Sequence, residues 1–286
     1  MTMKLSQKMA ALLPIFLFAP LLHAQSVELW SDWKEDLAAT RWETAATVAG
    51  ITAHGYSNWE WGSSKQFRSS SEGWFGTNTS TGGADKLGHA MASYAINNLL
   101  AEQLMRQGRS PERAALSAAL STQAIMLYIE VFDGFAKPHG FSRQDLVMNM
   151  LGSGLSYSRL VNPGLRGLMD YRLEYQPPDY KGFRPLSVSG QKYLVALKLS
   201  GISRLNDTPL RYLEFQAGYY TRGFLKAERD AGIPPERTVF WGIELNLSEI
   251  FFGPKSNADS VGKQAGRLFF EHIQLPSTAV RSERAL

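Results

Sequence analysis

The chain has 286 residues, 44% of them apolar, no cysteine, and a formal charge of +4 at neutral pH. Without cysteine there is no disulfide, thiolate nucleophile, thiolate metal site or acylated sulfur, so packing alone must hold the fold. Lys and Arg are scattered, with no basic stripe interleaved with aromatics, which excludes a nucleic-acid groove.

The opening stretch MTMKLSQKMAALLPIFLFAPLLHAQ places Lys4 and Lys8 ahead of an apolar run from Ala10 to Leu22, with small-residue processing after Ala24. This is the layout of a secretory signal peptide, residues 1–24. The alternative, an uncleaved anchor, has a run short of the roughly 20 residues a span needs. Removing residues 1–24 takes away two lysines and no acid, which leaves about 262 residues and a charge near +2. The expected location is beyond the inner membrane: in the periplasm, or peripheral or integral to the outer membrane.

Residues 25–175 are expected to form a helical domain. Six tryptophans, Trp30, Trp33, Trp42, Trp59, Trp61 and Trp74, crowd its start, and a helix is expected over 37–57. Such aromatics suit either a lipid interface or ordinary core packing. Three helices follow, over about 84–107, 111–135 and 142–160. Ser110 is the N-cap of the second, with Pro111 at its first position. Ser142 and Asp145 give the third a start resembling a capping box. The uncharged run AALSAALSTQAIMLYI of about 16 residues is short for a span and points to a buried helix. Short loops make the three helices antiparallel.

Residues 176–286 are strand-rich, with a soft boundary at 175–190 around QPPDYKGFRP. KYLVALKLS, YLEFQAGYY and VFWGIELNL alternate with period two, so each has one apolar face, with Glu214, Gln216, Glu244 and Asn246 on the opposite one. A short helix near 259–270 and a polar tail close the chain. The fold class is therefore α+β: a three-helix core with a preceding aromatic-rich helical segment, then a small antiparallel sheet of three to four or more strands. A membrane barrel needs at least about eight strands, more than are visible, although a partial or membrane-leaning sheet stays open.

The polar residues of the helices form short stripes. Asp85 and His89 are four apart, with Lys86 between them and Asn97 further along the same helix. Glu130 and Asp133 end the second helix, His139 lies in the next loop, and Ser142, Asp145 and Asn149 open the third. One reading is a structural network, because buried polar groups need partners and these residues can supply one another; Lys86 is then a partner for Glu130 or Asp133. The other is a site in which Asp85 orients His89 as base or ligand and Glu130 completes an acid/base pair or an oxygen-rich metal site. DKLGH is not HExxH, so no metal is specified, and no hydrolase elbow, P-loop or dinucleotide fingerprint occurs.

The ordered segments WFGTNTSTGGADKLGHAMASY, IEVFDGF and GFSRQDLVMNMLGSGLS resemble the uncharacterised bacterial family DUF2279 over roughly residues 70–160. Its short members look like periplasmic lipoproteins of the YfiM type. The resemblance implies an envelope protein and transfers no catalytic residue. This chain lacks the lipidated cysteine of those members and adds the strand-rich part. A fainter similarity links Asp85, Lys86 and His89, then Glu130, then Ser142, Asp145, Asn149 and Gly152 to VanZ-like membrane proteins, and hints at a polar helical site facing lipid or a lipid-linked glycan.

Three functions follow as expectations. The first is an envelope protein with a structural or lipid-facing binding role. The second is a hydrolase or transferase, metal-dependent or acid/base, acting on a lipid or lipid-linked substrate through Asp85, His89 and Glu130. The third is an accessory protein that binds an envelope partner through its aromatic segment or sheet edges.

Overall fold

The computed structural model of the chain describes residues 26–177, 188, 190–253 and 261–286. The expected signal peptide, apart from the residues after it, and most of the expected 175–190 boundary lie outside the described residues. The chain forms two compact units, one of residues up to Ser70 with Ile96–Tyr157 and one of Ser71–Ala95 with Ser158–Leu286.

The first unit is helical. It contains α1 (Ser26–Ala39), α2 (Arg41–Asn58), the C-terminal part of α3 (Ala84–Arg106), α4 (Pro111–Asp133) and most of α5 (Arg143–Val161). Ser110 caps α4 from an extended backbone, accepting the Arg113 N–H, with Pro111 in the first turn. The buried side of α4 is built largely from Ala114, Ala115, Ala118 and Ala119 with Ile125, Met126 and Ile129. Small residues let neighbouring helices come close, and α1 and α2 both pack on α4.

A buried carboxylate fixes that packing. Asp36 on α1 accepts hydrogen bonds from Arg109 Nε at 2.8 Å, Arg113 Nε at 2.9 Å and Ser117 Oγ at 2.7 Å. Burial pushes its pKa up, but the bonds from Arg113, Arg109 and Ser117 outweigh this and hold it below the usual 3.8. At the other end of α4, Trp61 packs on Tyr128 and Phe132 and donates its indole N–H to Asp133 Oδ1 at 2.6 Å. Two short strands, β1 (Ser69–Ser70) and β2 (Phe141–Ser142), pair in parallel.

The second unit centres on a sheet of β3 (Met169–Tyr175), β4 (Gln191–Lys198), β5 (Leu213–Arg222), β6 (Glu236–Leu245), β7 (Ile273–Gln274) and β8 (Ala279–Ala285), in the order β7-β3-β4-β5-β6-β8. Only the β3–β7 pairing is parallel. Helices α6 (Pro163–Leu168), α7 (Lys226–Asp230), α8 (Leu247–Phe252) and α9 (Val261–His272) flank it.

The polarity of this sheet is inverted. Asp170, Arg172 and Glu174 of β3, Lys198 of β4, Glu214 and Gln216 of β5 and Glu244 of β6 share one face, and all are buried. Asp170 accepts from Arg159 at 2.5 Å, Arg172 at 2.7 Å and Lys198 at 2.7 Å, which holds its carboxyl well below the usual range although burial opposes this. Arg172 also donates to Glu214 and to Gln274.

Arg281 shows how far the sheet curls. It sits on β8, four strand spacings from β3, about 19 Å if the sheet were flat, yet its guanidinium lies 2.8 Å from Glu174 Oε1. The charged face is therefore the concave side of a trough. Gly218 makes room inside for the ring of Phe240, which an added Cβ would approach to 2.3 Å, and Phe240 packs with Leu194 and Ala196 as a small apolar plug.

The fold class α+β holds, while its finer description is corrected. Helix α2 is the one expected over 37–57, α1 joins it and the expected three, and the sheet has six strands with one parallel pairing. Period two could not reveal β7, which is two residues long, and β8 (AVRSERA) resembles a polar tail because its charges contact the trough and solvent instead of an apolar core. The helix expected near 259–270 is α9.

Replacing Asp36 with Asn is expected to lower unfolding free energy at pH 7 by about 2 kcal/mol in urea melts, the scale of charge-assisted hydrogen bonds. A depressed folded pKa gives stability that is present above 3.8 and lost as pH falls below it. The gap between wild type and D36N should therefore narrow toward pH 2.

Glu244 supplies the opposite sign. It faces Glu214 across β5–β6, and burial, then that neighbouring carboxylate, push its pKa up to about 9. The neutral acid favours the fold, so this contribution is lost as pH rises from about 4.5 through about 9. Glu244→Gln is expected to match wild type near pH 5 and exceed it at pH 9, measured as the urea midpoint; parallel curves would remove the assignment.

Candidate functional site

Two groups of the expected site residues are built by different units. Asp85, Lys86 and His89 belong to the sheet unit, whereas Asn97, Glu130, Asp133, His139, Ser142, Asp145 and Asn149 belong to the helical unit.

The first group follows Gly82 and Gly83, whose φ values of +64° and +92° are the left-handed conformation that glycine tolerates. A Cβ on Gly82 would lie 2.7 Å from the Phe224 ring, and one on Gly83 would lie 2.4 Å from Phe75. Strand β5 anchors this turn: Tyr219 donates its hydroxyl to Gly82 O, and Thr221 Oγ1 donates to Thr81 O at 2.9 Å. Tyr171 of β3 donates to Leu87 O at 3.0 Å. The first turns of α3 are thus pinned over one end of the sheet's outer face.

On that turn Lys86 is buried, with Nζ 2.5 Å from Glu72 Oε2 and 3.2 Å from Asp85 Oδ2. His89 Nε2 is 3.9 Å from Asp85 Oδ1. An ammonium out of water needs such carboxylates, and the glycine-rich segment supplies one of them in Glu72. Asp85 and His89 are the pair in this unit that could orient a proton transfer or contribute ligands to an ion.

In the helical unit, Glu130 at the end of α4 is buried and accepts the Ser142 N–H at 3.1 Å. Ser142 Oγ in turn accepts the Asp145 N–H at 3.3 Å, the predicted cap of α5. The carboxylate therefore fixes the residue that starts the next helix. Along α5, Asn149 O and Ser153 Oγ accept from Gln123 Nε2 at 3.0 and 2.7 Å, and Ser153 O accepts from Asn97 Nδ2 at 3.0 Å. Ser156 donates to Asn98 at 3.0 Å. Asp133 holds Trp61, and His139 offers its backbone carbonyl to Arg68.

Sequence patterns did not reveal Glu72 or Trp61 as partners, because both are distant along the chain from the residues they hold. The trough charges did leave a signal. In MDYRLEY, acid, base and acid alternate with tyrosine and leucine, and such strictly alternating charges of both signs on one face can satisfy one another.

Residues 71–161 match a family model described as predicted periplasmic lipoprotein (DUF2279). The match supports a periplasmic envelope location, and it covers all of α3, α4 and α5 and none of the six-stranded sheet. The sulfur that carries a lipoprotein's acyl chain has no counterpart in a chain without cysteine. No curated protein and no solved structure matches the chain.

Proposed function

We propose that this chain is a structural protein of the cell envelope that lies against lipid, with the polar clusters of its helices acting as internal braces. The observation that carries the reading is the polarity of the helical unit. Its serines, asparagines and acids are buried between helices, including Asn97, Ser121, Glu130, Asp145, Asn149 and Ser153. The outward stripe of α4 is Leu120, Ala124, Leu127 and Val131, and α2 carries no charged residue between Thr44 and Asn58 and exposes Trp42, Ala45, Ala49 and Ala53.

In water such helices would face outward with charges; here they face outward with alkyl and aromatic groups. Helix α4 is the one described helix long and apolar enough to cross a membrane, yet 56% of its apolar stretch is buried within the protein. It acts as a core helix whose outer stripe meets lipid. The Asp85-Lys86-x-x-His89 start and the Ser142, Asp145, Asn149 spacing, which resemble VanZ-like membrane proteins, favour the same reading.

Two outcomes test it. Glu130→Ala leaves the buried Ser142 N–H without its acceptor and should cost about 2 kcal/mol in urea melts; wild-type stability would count against an internal brace. The purified chain without residues 1–24 should float with phosphatidylethanolamine/phosphatidylglycerol vesicles on a density gradient. Protein left wholly in the dense fraction would overturn the lipid-facing role.

A further inference from the structure

We propose that the convex face of the β4-β5-β6-β8 sheet is a lipid-insertion surface, set into one leaflet's hydrocarbon with anionic headgroups meeting Arg284. It rests on the lipid-facing reading and assigns it a site in the second unit, outside the matched family segment.

The face is continuous. Register aligns Leu197, Phe215, Ile243 and Val280 in one row across four strands, and they are 42%, 46%, 47% and 83% exposed. Trp241, 50% exposed, stands in the adjacent row beside Ala217, and Leu245 stands on the other side beside Leu213. No charged side chain interrupts these rows. A contiguous patch of large apolar groups marks a contact surface, since single exposed residues are common but such patches are not.

The other side of the same strands says what the surface contacts. A sheet of a water-soluble protein turns its apolar face to the core and its polar face out. This sheet holds Asp170, Arg172, Glu174, Glu214 and Arg281 inside its trough and turns leucine, phenylalanine, tryptophan, isoleucine and valine outward. Polar inside and apolar outside is the arrangement of a sheet in lipid.

Charge and shape select lipid over a second copy. At one end the apolar rows stop at the exposed Arg284, which lies on the same face, opposite Val239, while the neighbouring Arg237 donates to the Phe75 carbonyl. Arginine stems can lie along hydrocarbon while the guanidinium reaches a phosphate. Two copies meeting by convex faces would touch along a narrower strip than flat faces would, and a stable interface needs roughly 800 Å² per partner. Fluid acyl chains conform to a curved surface without that penalty.

The absence of cysteine permits a direct test. Ile243→Cys and Leu127→Cys, each carrying an environment-sensitive fluorophore, are mixed as the chain without residues 1–24 with phosphatidylethanolamine/phosphatidylglycerol vesicles containing doxyl-labelled acyl chains. The label at position 243 is expected to shift blue and to be quenched severalfold. Quenching at 127 without quenching at 243 would overturn this proposal and leave the lipid-facing reading standing; quenching at neither would overturn both. A label at 243 already shielded without vesicles, together with a dimer in sedimentation, would assign the face to a second copy. Arg284→Gln should weaken binding to these anionic vesicles about fivefold at low salt, the scale of one basic residue near such a surface, and leave binding to phosphatidylcholine unchanged. Equal binding to the anionic vesicles would remove the headgroup contact. Trp241→Asp with Ile243→Asp should lower vesicle affinity at least tenfold with an unchanged circular dichroism spectrum; if this variant does not fold, the labelled Ile243→Cys chain decides.

Discussion

The buried ion pairs along the concave side of the sheet set the terms for the second unit. Asp170 is held by Arg159, Arg172 and Lys198, Arg172 bridges to Glu214, and Arg281 reaches back to Glu174. Charges removed from water are costly unless paired in good geometry, so the sheet must curl until β8 and β3 bring their side chains together. The curl determines which face is closed and which stays open. Once the charges occupy the inside, the alternation of a strand forces the apolar residues outward.

The helical unit follows the same logic with weaker groups. Amides, hydroxyls and the Glu130 carboxylate make hydrogen bonds between α3, α4 and α5, and alkyl groups lie on the outer stripe of α4. Hydrogen bonds hold helices together where the surroundings offer no hydrophobic driving force, which makes a polar interior suited to a lipid-contacting bundle. Asp36 is the exception that faces water-accessible arginines, and it fastens α1 to the polar end of α4.

Much of the helical half was legible in the sequence because its signals are local. Ser110-Pro111 and Ser142-x-x-Asp145 mark helix starts by their own side-chain chemistry, and the observed starts lie within one residue of those expected. The strands β4, β5 and β6 were legible by period two. Which of their faces is buried was not, since alternation is symmetrical and only the long-range pairing of Arg172 with Glu214 and of Arg281 with Glu174 breaks the symmetry. The DKLGHA stretch likewise announced a polar turn. The chain-distant Glu72 that balances its lysine, and the β5 hydroxyls that pin its glycines, became visible only in three dimensions.

The sheet is inverted, with charges enclosed and apolar side chains turned outward, and the proposed lipid contact depends on that inversion. Spin labels placed singly along β6 from position 239 to 245 in vesicle-bound protein, read for collision with dissolved oxygen and with a water-soluble nickel chelate, test it most directly. Oxygen accessibility should peak at 241, 243 and 245, and the nickel complex should reach none of them. High nickel accessibility at those three positions would contradict it.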